Sequence, residues 1–150
     1  PMMSFIINIC IMLITIVLME AITWVTHKYV MHGFLWYLHK DHHQPKYSNW
    51  FEKNDLFFVI FAVPSSILIF FGIEQKFSEL FFVGLGIFIY GLTYFVVHDI
   101  FIHQRFKMFR NINNKYAKGI RRAHKIHHKN INKENGESFG MLWVPLKYFK

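Results

Sequence analysis

The stretch "LFFVGLGIFIYGLTYFVV", residues 80–97, runs for 18 residues without a charge and is followed directly by His98. About 20 mostly apolar residues in a helix are enough to cross the hydrocarbon core of a bilayer. Glycines within such a span, here from Gly84 to Gly91, let neighbouring helices approach closely. The stretch therefore predicts a transmembrane helix and not a phosphate-binding loop.

Two more apolar blocks lie upstream of this stretch. Residues 56–73 carry no charge, and residues 5–19 run on to Thr26 with Glu20 as the only charge. Since 53% of the 150 residues are hydrophobic, three such blocks leave too little polar surface for a soluble fold. We predict an all-α integral membrane protein with a single domain over residues 1–150. About three transmembrane helices are expected, with four as the alternative.

The positive charges are distributed unevenly along the chain. Of the 17 Lys and Arg residues, only Lys76 lies in the short link 74–79 between the second and third blocks. The positive-inside bias therefore predicts a multi-pass protein of the cytoplasmic (inner) membrane with an external N-terminus. The basic run from Arg105 to Lys133 is expected to contact anionic lipid headgroups, and docking of an acidic protein is a second use. A nucleic-acid partner is not expected.

Ten histidines form one pattern that occurs twice, H-x4-H followed by H-x2-H-H. The first copy contains His27, His32, His39, His42 and His43, and the second contains His98, His103, His124, His127 and His128. Two predicted spans separate the copies, so both are expected on the cytoplasmic face. Helices bearing these histidines would then cap a site at the end of the spans.

The spacing of the histidines indicates a metal site. In H-x2-H-H the first ring meets the other two at i+3 and i+4, on one face of a helix. In H-x4-H the rings lie about 140° apart on a regular helix. Such a pair either faces two different metal ions or sits on a π-bulge, which brings i and i+5 together. Converging neutral imidazoles are metal ligands, and this number suits two metals. Either all ten ligate, or eight or nine do and the rest support them.

Few carboxylates are available to orient these rings. Asp99 beside His98, and Glu20 about two helical turns before His27, are the candidates for hydrogen bonding to a ligating ring. Asp41 and Asp55 also lie near the motifs, but Asp55 can be explained as a helix cap and Asp41 as a side chain exposed to solvent.

The choice of metal follows from the number of ligands. Catalytic zinc normally uses three protein ligands and an open position, where it activates water. Eight to ten imidazoles favour two irons, which activate O2. No residue beyond the metal centre is singled out as catalytic.

The motifs resemble those of the bacterial β-carotene hydroxylases, within the fatty acid hydroxylase superfamily. The resemblance is carried by "THKYVMHGFLWYLHKDHHQP" (26–45), "NDLF" (54–57), "YFVVHDIFIHQRF" (94–106), "AHKIHH" (123–128) and "SFG" (138–140). It covers roughly residues 18–143. Two residues depart from the family pattern: Ile100 stands where relatives commonly have Gly, and Phe106 stands where Trp is frequent. Both flank the site, so they bear on which carotenoid ring is preferred more than on metal binding.

The resemblance implies a membrane non-haem di-iron monooxygenase that takes O2 and electrons from reduced ferredoxin. Such enzymes hydroxylate C3 of the β-ionone ring and convert β-carotene through β-cryptoxanthin to zeaxanthin. Related enzymes also convert canthaxanthin toward astaxanthin. By the same resemblance all ten histidines are iron ligands, the carotenoid comes from the bilayer, and the basic segment is a surface for ferredoxin.

Two other functions remain open at this point. A sterol or fatty acid hydroxylase of the same superfamily would share the motifs, although those chains tend to be longer. A metal-binding membrane protein without redox activity would need polar residues along the spans to pass an ion. The apolar segment 139–149 either caps the site or lies in the membrane interface.

Overall fold

A computed structural model describes residues 2–45 and 50–150. Helix α1 spans Met2–Val25 and continues into a π-helical segment, Thr26–Phe34, before helix α2 at Trp36–His43. A short 3-10 segment, Lys53–Asp55, leads into helix α3, Leu56–Glu74. Helix α4, Glu79–Tyr94, continues into a second π-helical segment, Phe95–Ile102. Helix α5 spans Lys115–Lys129, and a 3-10 turn covers Leu146–Phe149.

The predicted class and spans are confirmed. No strand occurs in the described residues, and three continuous helical stretches are long and apolar enough to cross a membrane. They cover Met2–Phe34, Lys53–Glu74 and Glu79–Ile102. A fourth such stretch is not found among residues 2–45 and 50–150.

The chain divides into two compact units. One contains the described residues up to Met19 together with Phe57–Thr93. Most of its side chains are apolar and many remain exposed, including Phe58, Phe70 and Phe88. A soluble protein rarely exposes so much contiguous apolar surface, so this surface suits lipid.

Close helix packing inside this unit depends on glycines. Ser65 Oγ donates a hydrogen bond to the carbonyl of Gly84 at 2.8 Å, where α3 and α4 meet. A Cβ added at Gly84 would lie 2.8 Å from the backbone nitrogen of Ile69. One added at Gly86 would lie 2.8 Å from Cβ of Thr15 in α1. The expected role of small residues in the span is confirmed at these two positions.

Replacing Gly84 with alanine is expected to lower the free energy of unfolding by about 1–3 kcal/mol, because the new methyl group meets backbone atoms that cannot move aside. Thermal unfolding in detergent measures the change. Gly91→Ala is the matched control, since nothing lies within 4 Å of a Cβ there. Equal unfolding temperatures for the two variants would contradict the packing argument.

The second unit contains the described parts of Glu20–Leu56 together with Tyr94–Lys150. Its apolar core joins Phe101 to the buried face of α5 and to the C-terminal segment. The core members are Phe101, Ala117, Ile120, Ala123, Val144 and Tyr148. Asn114 caps α5 by accepting the backbone N–H of Ala117 at 2.8 Å. This core fixes α5, which carries three of the histidines, against the end of α4's π-helical extension.

Candidate metal centre

The two π-helical segments bring the H-x4-H pairs together. A π-helix bonds i to i+5 and so places residues five apart on one face. His103 donates its backbone N–H to the carbonyl of His98 at 2.9 Å, and the two ring centroids are 4.5 Å apart. The rings of His27 and His32 are 5.3 Å apart. Of the two alternatives for this spacing, the structure contains the π-helical one, with each pair facing a common point.

The histidines assemble into two groups of potential metal ligands within the second unit. Within a group, the ligand atoms lie within 4.8 Å of one another. Group one consists of His27, His32, His39, His43 and His127, and group two consists of His42, His98, His103 and His124. Helices α2 and α5 each contribute to both groups, so the two candidate metal positions are neighbours.

Hydrogen bonds on the far side of the rings fix their tautomers. In seven histidines Nδ1 lies 2.6–3.1 Å from a carbonyl or carboxylate oxygen, which accepts a hydrogen bond from the ring N–H. The acceptors are Phe139 O for His27, Lys133 O for His32, Asn54 Oδ1 for His39, Glu52 Oε2 for His42, Asn130 O for His43, Asp99 Oδ1 for His98 and Glu137 O for His127. Nδ1 therefore carries the hydrogen, and Nε2 presents a lone pair.

These lone pairs face one another at short range. Nε2 of His27 lies 3.2 Å from Nε2 of His39, and Nε2 of His42 lies 3.1 Å from Nε2 of His98. With both hydrogens on Nδ1, no hydrogen bond can join either pair, so the contacts need a cation. A metal with N ligands at about 2.0–2.1 Å would give ligand-to-ligand separations of roughly 3.0–3.4 Å. The donor set therefore fits two metal ions.

Burial keeps the rings neutral. Loss of hydration is the main cause and neighbouring rings add to it, so that the pKa of His39 is lowered to about 2, of His127 to about 3 and of His43 to about 4. The same causes place the pKa of His42 and His124 well below the ordinary value. Near neutral pH these imidazoles are uncharged, which is the form that binds metal.

His128 lies beside both groups without belonging to either. Its ring stacks on that of His43 at 4.4 Å and lies 4.5 Å from that of His124. Its Nε2 is buried without a hydrogen-bond partner among the described residues. A buried ring nitrogen needs a partner, and a metal ion next to group two would supply one.

The candidate carboxylates take different positions. Asp99 Oδ1 accepts from Nδ1 of His98 at 2.6 Å. Glu20 Oε1 accepts the backbone N–H groups of Met141, Leu142 and Trp143, each at 2.9 Å. Glu20 therefore anchors the C-terminal segment.

Several partners of the rings were absent from the sequence interpretation. Asn54, in the 3-10 segment before α3, orients His39, and Glu52, the residue that precedes this segment, orients His42. Four backbone carbonyls between Asn130 and Phe139 orient others, and a carbonyl has no signature in the sequence. The one available signal was the position of Asn54 inside the motif "NDLF".

The start of the apolar C-terminal segment covers group one. The ring of Phe139 lies 5.2–5.5 Å from the rings of His27, His32 and His127. Trp143 and Leu146, further along, are about 80% exposed. The segment thus caps the site at its beginning, while Trp143 and Leu146 present apolar side chains at the surface.

Replacing Asn54 with alanine is expected to lower metal affinity at group one by about 10–100-fold, because His39 loses the acceptor that fixes its tautomer. Titration of the metal-free protein with a divalent metal measures this. Asn111→Ala, at an exposed position, is the control. Unchanged affinity in Asn54→Ala would show that His39 is oriented without this bond.

Comparison with known proteins identifies relatives over most of the chain. The model of the fatty acid hydroxylase family matches residues 12–146. The beta-carotene hydroxylase of Pantoea ananas is 43% identical over 92% of this chain and 78% of its own length. The beta-carotene hydroxylase of Pseudescherichia vulneris is 38% identical over 92% of this chain and 77% of its own length. The chloroplastic beta-carotene hydroxylase 2 of Capsicum annuum is 37% identical over 79% of this chain and 39% of its own. No solved structure matches.

Proposed function

Because this chain belongs to the fatty acid hydroxylase family, we propose that it is a membrane monooxygenase that hydroxylates C3 of the β-ionone rings of carotenoids. Residues 1–150 would form one hydroxylase domain, acting on β-carotene and then on β-cryptoxanthin to give zeaxanthin. Ketolated rings such as those of canthaxanthin are further candidate substrates. The observation that carries the proposal is the set of Nε2 lone pairs converging in two adjacent groups.

The ten histidines would hold two iron ions. Group one would hold one ion and group two the other, with His128 as an additional ligand beside group two. Iron would supply the activation of O2, so that one oxygen atom would be inserted into a C–H bond while two electrons and two protons would convert the other to water. Nine converging imidazoles exceed the three ligands usual for a catalytic zinc, which favours iron.

The chain's own residues would keep the centre ready for this chemistry. The hydrogen bonds at Nδ1 hold seven of the rings with their lone pairs inward, so little reorganisation of these rings is needed when metal binds. Phe139 excludes water from group one on one side. A carotenoid is dissolved in the bilayer, and a site at the end of the spans would receive it from there.

The orientation in the membrane follows from charge. With 16 of 17 Lys and Arg residues outside the link 74–79, the histidine-bearing side would be cytoplasmic and the N-terminus external. The protein would lie in the cytoplasmic membrane as a multi-pass protein, in contact with anionic lipid.

Electrons would enter across helix α5. Lys118, Arg122, Lys125 and Lys129 recur every three or four residues and are exposed, so they form one basic stripe. The opposite face of α5 carries His124 of group two and His127 of group one. A reduced ferredoxin, as an acidic donor, would dock on the basic stripe one helix diameter from both metal positions.

Charge reversal at Lys118 and Lys125 is expected to raise the KM for reduced ferredoxin by about tenfold or more at low salt, with a smaller effect at high salt. Lysines are chosen because Arg121 and Arg122 also donate to backbone carbonyls of Ile112 and Tyr148, at 3.2 and 3.3 Å. Charge reversal at Lys76, in the link on the other side, is the control. An equal effect of both changes would contradict docking on α5.

Expression in a bacterium that accumulates β-carotene tests the reaction itself. Chromatography of the pigments should show cryptoxanthin and zeaxanthin, and His124→Ala should abolish both. Unchanged β-carotene, with the protein present in the membrane, would rule out the plain ring as substrate. Canthaxanthin, sterols and fatty acids would then be supplied in turn, since other members of the superfamily act on such lipids.

A further inference from the structure

Arg105 forms a bridge between two carboxylates close to group two. One guanidinium nitrogen donates to Asp99 Oδ2 at 3.1 Å, and another donates to Asp55 Oδ1 and Oδ2 at 3.0 and 3.3 Å. The Arg105 backbone N–H also donates to the carbonyl of Asp99 at 2.9 Å. The side chain is only 17% exposed, so these ion pairs are better shielded from solvent than ordinary surface pairs.

Each carboxylate leads to a different ligand of group two. Asp99 uses its other oxygen to accept from Nδ1 of His98 at 2.6 Å. Asp55 Oδ2 accepts the backbone N–H of Glu52 at 3.1 Å, and Glu52 Oε2 accepts from Nδ1 of His42 at 2.8 Å. Nε2 of His42 and Nε2 of His98 then face each other at 3.1 Å.

These contacts close a ring of interactions around one metal position. It runs from Arg105 through Asp99 to His98, across to His42, and back through Glu52 and Asp55. The two ends come from distant parts of the chain, the segment before α3 and the π-helical end of α4. Arg105 is the residue that ties them together.

We propose that Arg105 is a positioning residue for the metal at group two, acting through Asp99 and Asp55 on His98 and His42. The proposal rests on the two-metal centre of the proposed function, but it does not depend on the substrate. Group one is oriented mainly by carbonyls between Asn130 and Phe139, so loss of Arg105 should affect one metal position much more than the other.

The guanidinium fork matters as well as its charge. Two different nitrogens contact two different carboxylates, which a lysine ammonium on a flexible stem cannot reproduce with fixed geometry. Removing Arg105 leaves two carboxylates that repel each other and releases the link between the two histidine-bearing segments.

Metal content of the purified full chain in detergent tests this proposal. Iron titrated anaerobically into the metal-free protein should bind at two ions per chain in the natural protein. In Arg105→Gln, the affinity for one of the two ions should fall by about 10–100-fold. At a free iron concentration between the two dissociation constants, about one ion per chain should then be bound. After oxidation, that variant should show the electron paramagnetic resonance signal of an isolated ferric ion in place of a coupled pair.

Two further variants separate this role from a general effect on folding. Arg110→Gln is the control, because Arg110 is exposed and donates to Gln104 Oε1 at 3.2 Å. Arg105→Lys keeps the charge without the fork and should give an intermediate affinity at the weakened position. Helicity and elution volume identify any variant that has failed to fold, in which case Asp55→Asn, which removes one arm of the bridge, takes its place.

Three results would overturn the proposal. They are two tightly bound irons in Arg105→Gln, equal weakening of both ions in the folded variant, and full recovery with lysine. None of these results depends on carotenoid turnover, so a failure of this proposal can be told apart from a failure of the proposed reaction. A protein that binds two irons but leaves carotenoids unchanged would still test the role of Arg105.

Discussion

Replacing His98 with alanine is expected to lower carotenoid hydroxylation by more than about 100-fold, since even loss of a hydrogen-bond partner behind a ligand costs about 10–100-fold. His98 is 2% exposed and its Nε2 lies 3.1 Å from that of His42. Alanine removes one donor from group two and leaves the Asp99 oxygen without its imidazole partner. The yield of cryptoxanthin and zeaxanthin per unit of protein in the membrane measures the effect.

Asn111→Ala is the matched control for this experiment. Asn111 is exposed and belongs neither to the histidine groups nor to the basic stripe of α5. Protein abundance should be similar in both variants, and only His98→Ala should lose iron. Product formation above a tenth of the natural level in His98→Ala would mean that group two does not hold a catalytic metal.

The sequence predicted the architecture because composition alone decides it. Uncharged runs of 18 residues can be buried only in lipid or in a very large core, and 150 residues cannot build such a core three times. The spans found are the predicted ones, lengthened by the π-helical segments at the ends of α1 and α4.

The division of the histidines into two groups could not be predicted from spacing. His39, His42 and His43 share one face of α2, yet His42 joins group two while its neighbours join group one. Helix α5 divides in the same way between His124 and His127. Which ring faces which metal position depends on the packing of α2 against α5, and that is a tertiary property.

The supporting contacts show the same limit. Asp99 could be singled out because it is adjacent to His98 in the sequence. Asn54 was marked only by its place in "NDLF", and the carbonyl of Phe139 has no signature in the sequence. They reach His39 and His27 across 15 and 112 positions. Arg105 is beyond such reasoning altogether, because its importance lies in joining two carboxylates 44 positions apart, from Asp55 to Asp99.

Removal of metal is expected to have the second large effect, on stability as well as on activity. Without a cation, Nε2 lone pairs such as those of His32 and His43 face each other at 3.2 Å with no hydrogen between them. A ligand present at 1,000 times its dissociation constant stabilises a fold by about 4 kcal/mol per site. Chelation should therefore lower the unfolding temperature by roughly 10 °C for each metal site that is lost.

Adding back different metals separates binding from chemistry. Zinc accepts imidazole ligands, so it should restore the unfolding temperature. It has no redox chemistry, so hydroxylation should return only with ferrous iron, O2 and an electron donor. Hydroxylation by the zinc-loaded protein would refute an oxidative iron centre. An unfolding temperature unchanged by chelation would show that the converging histidines are held together by something other than metal.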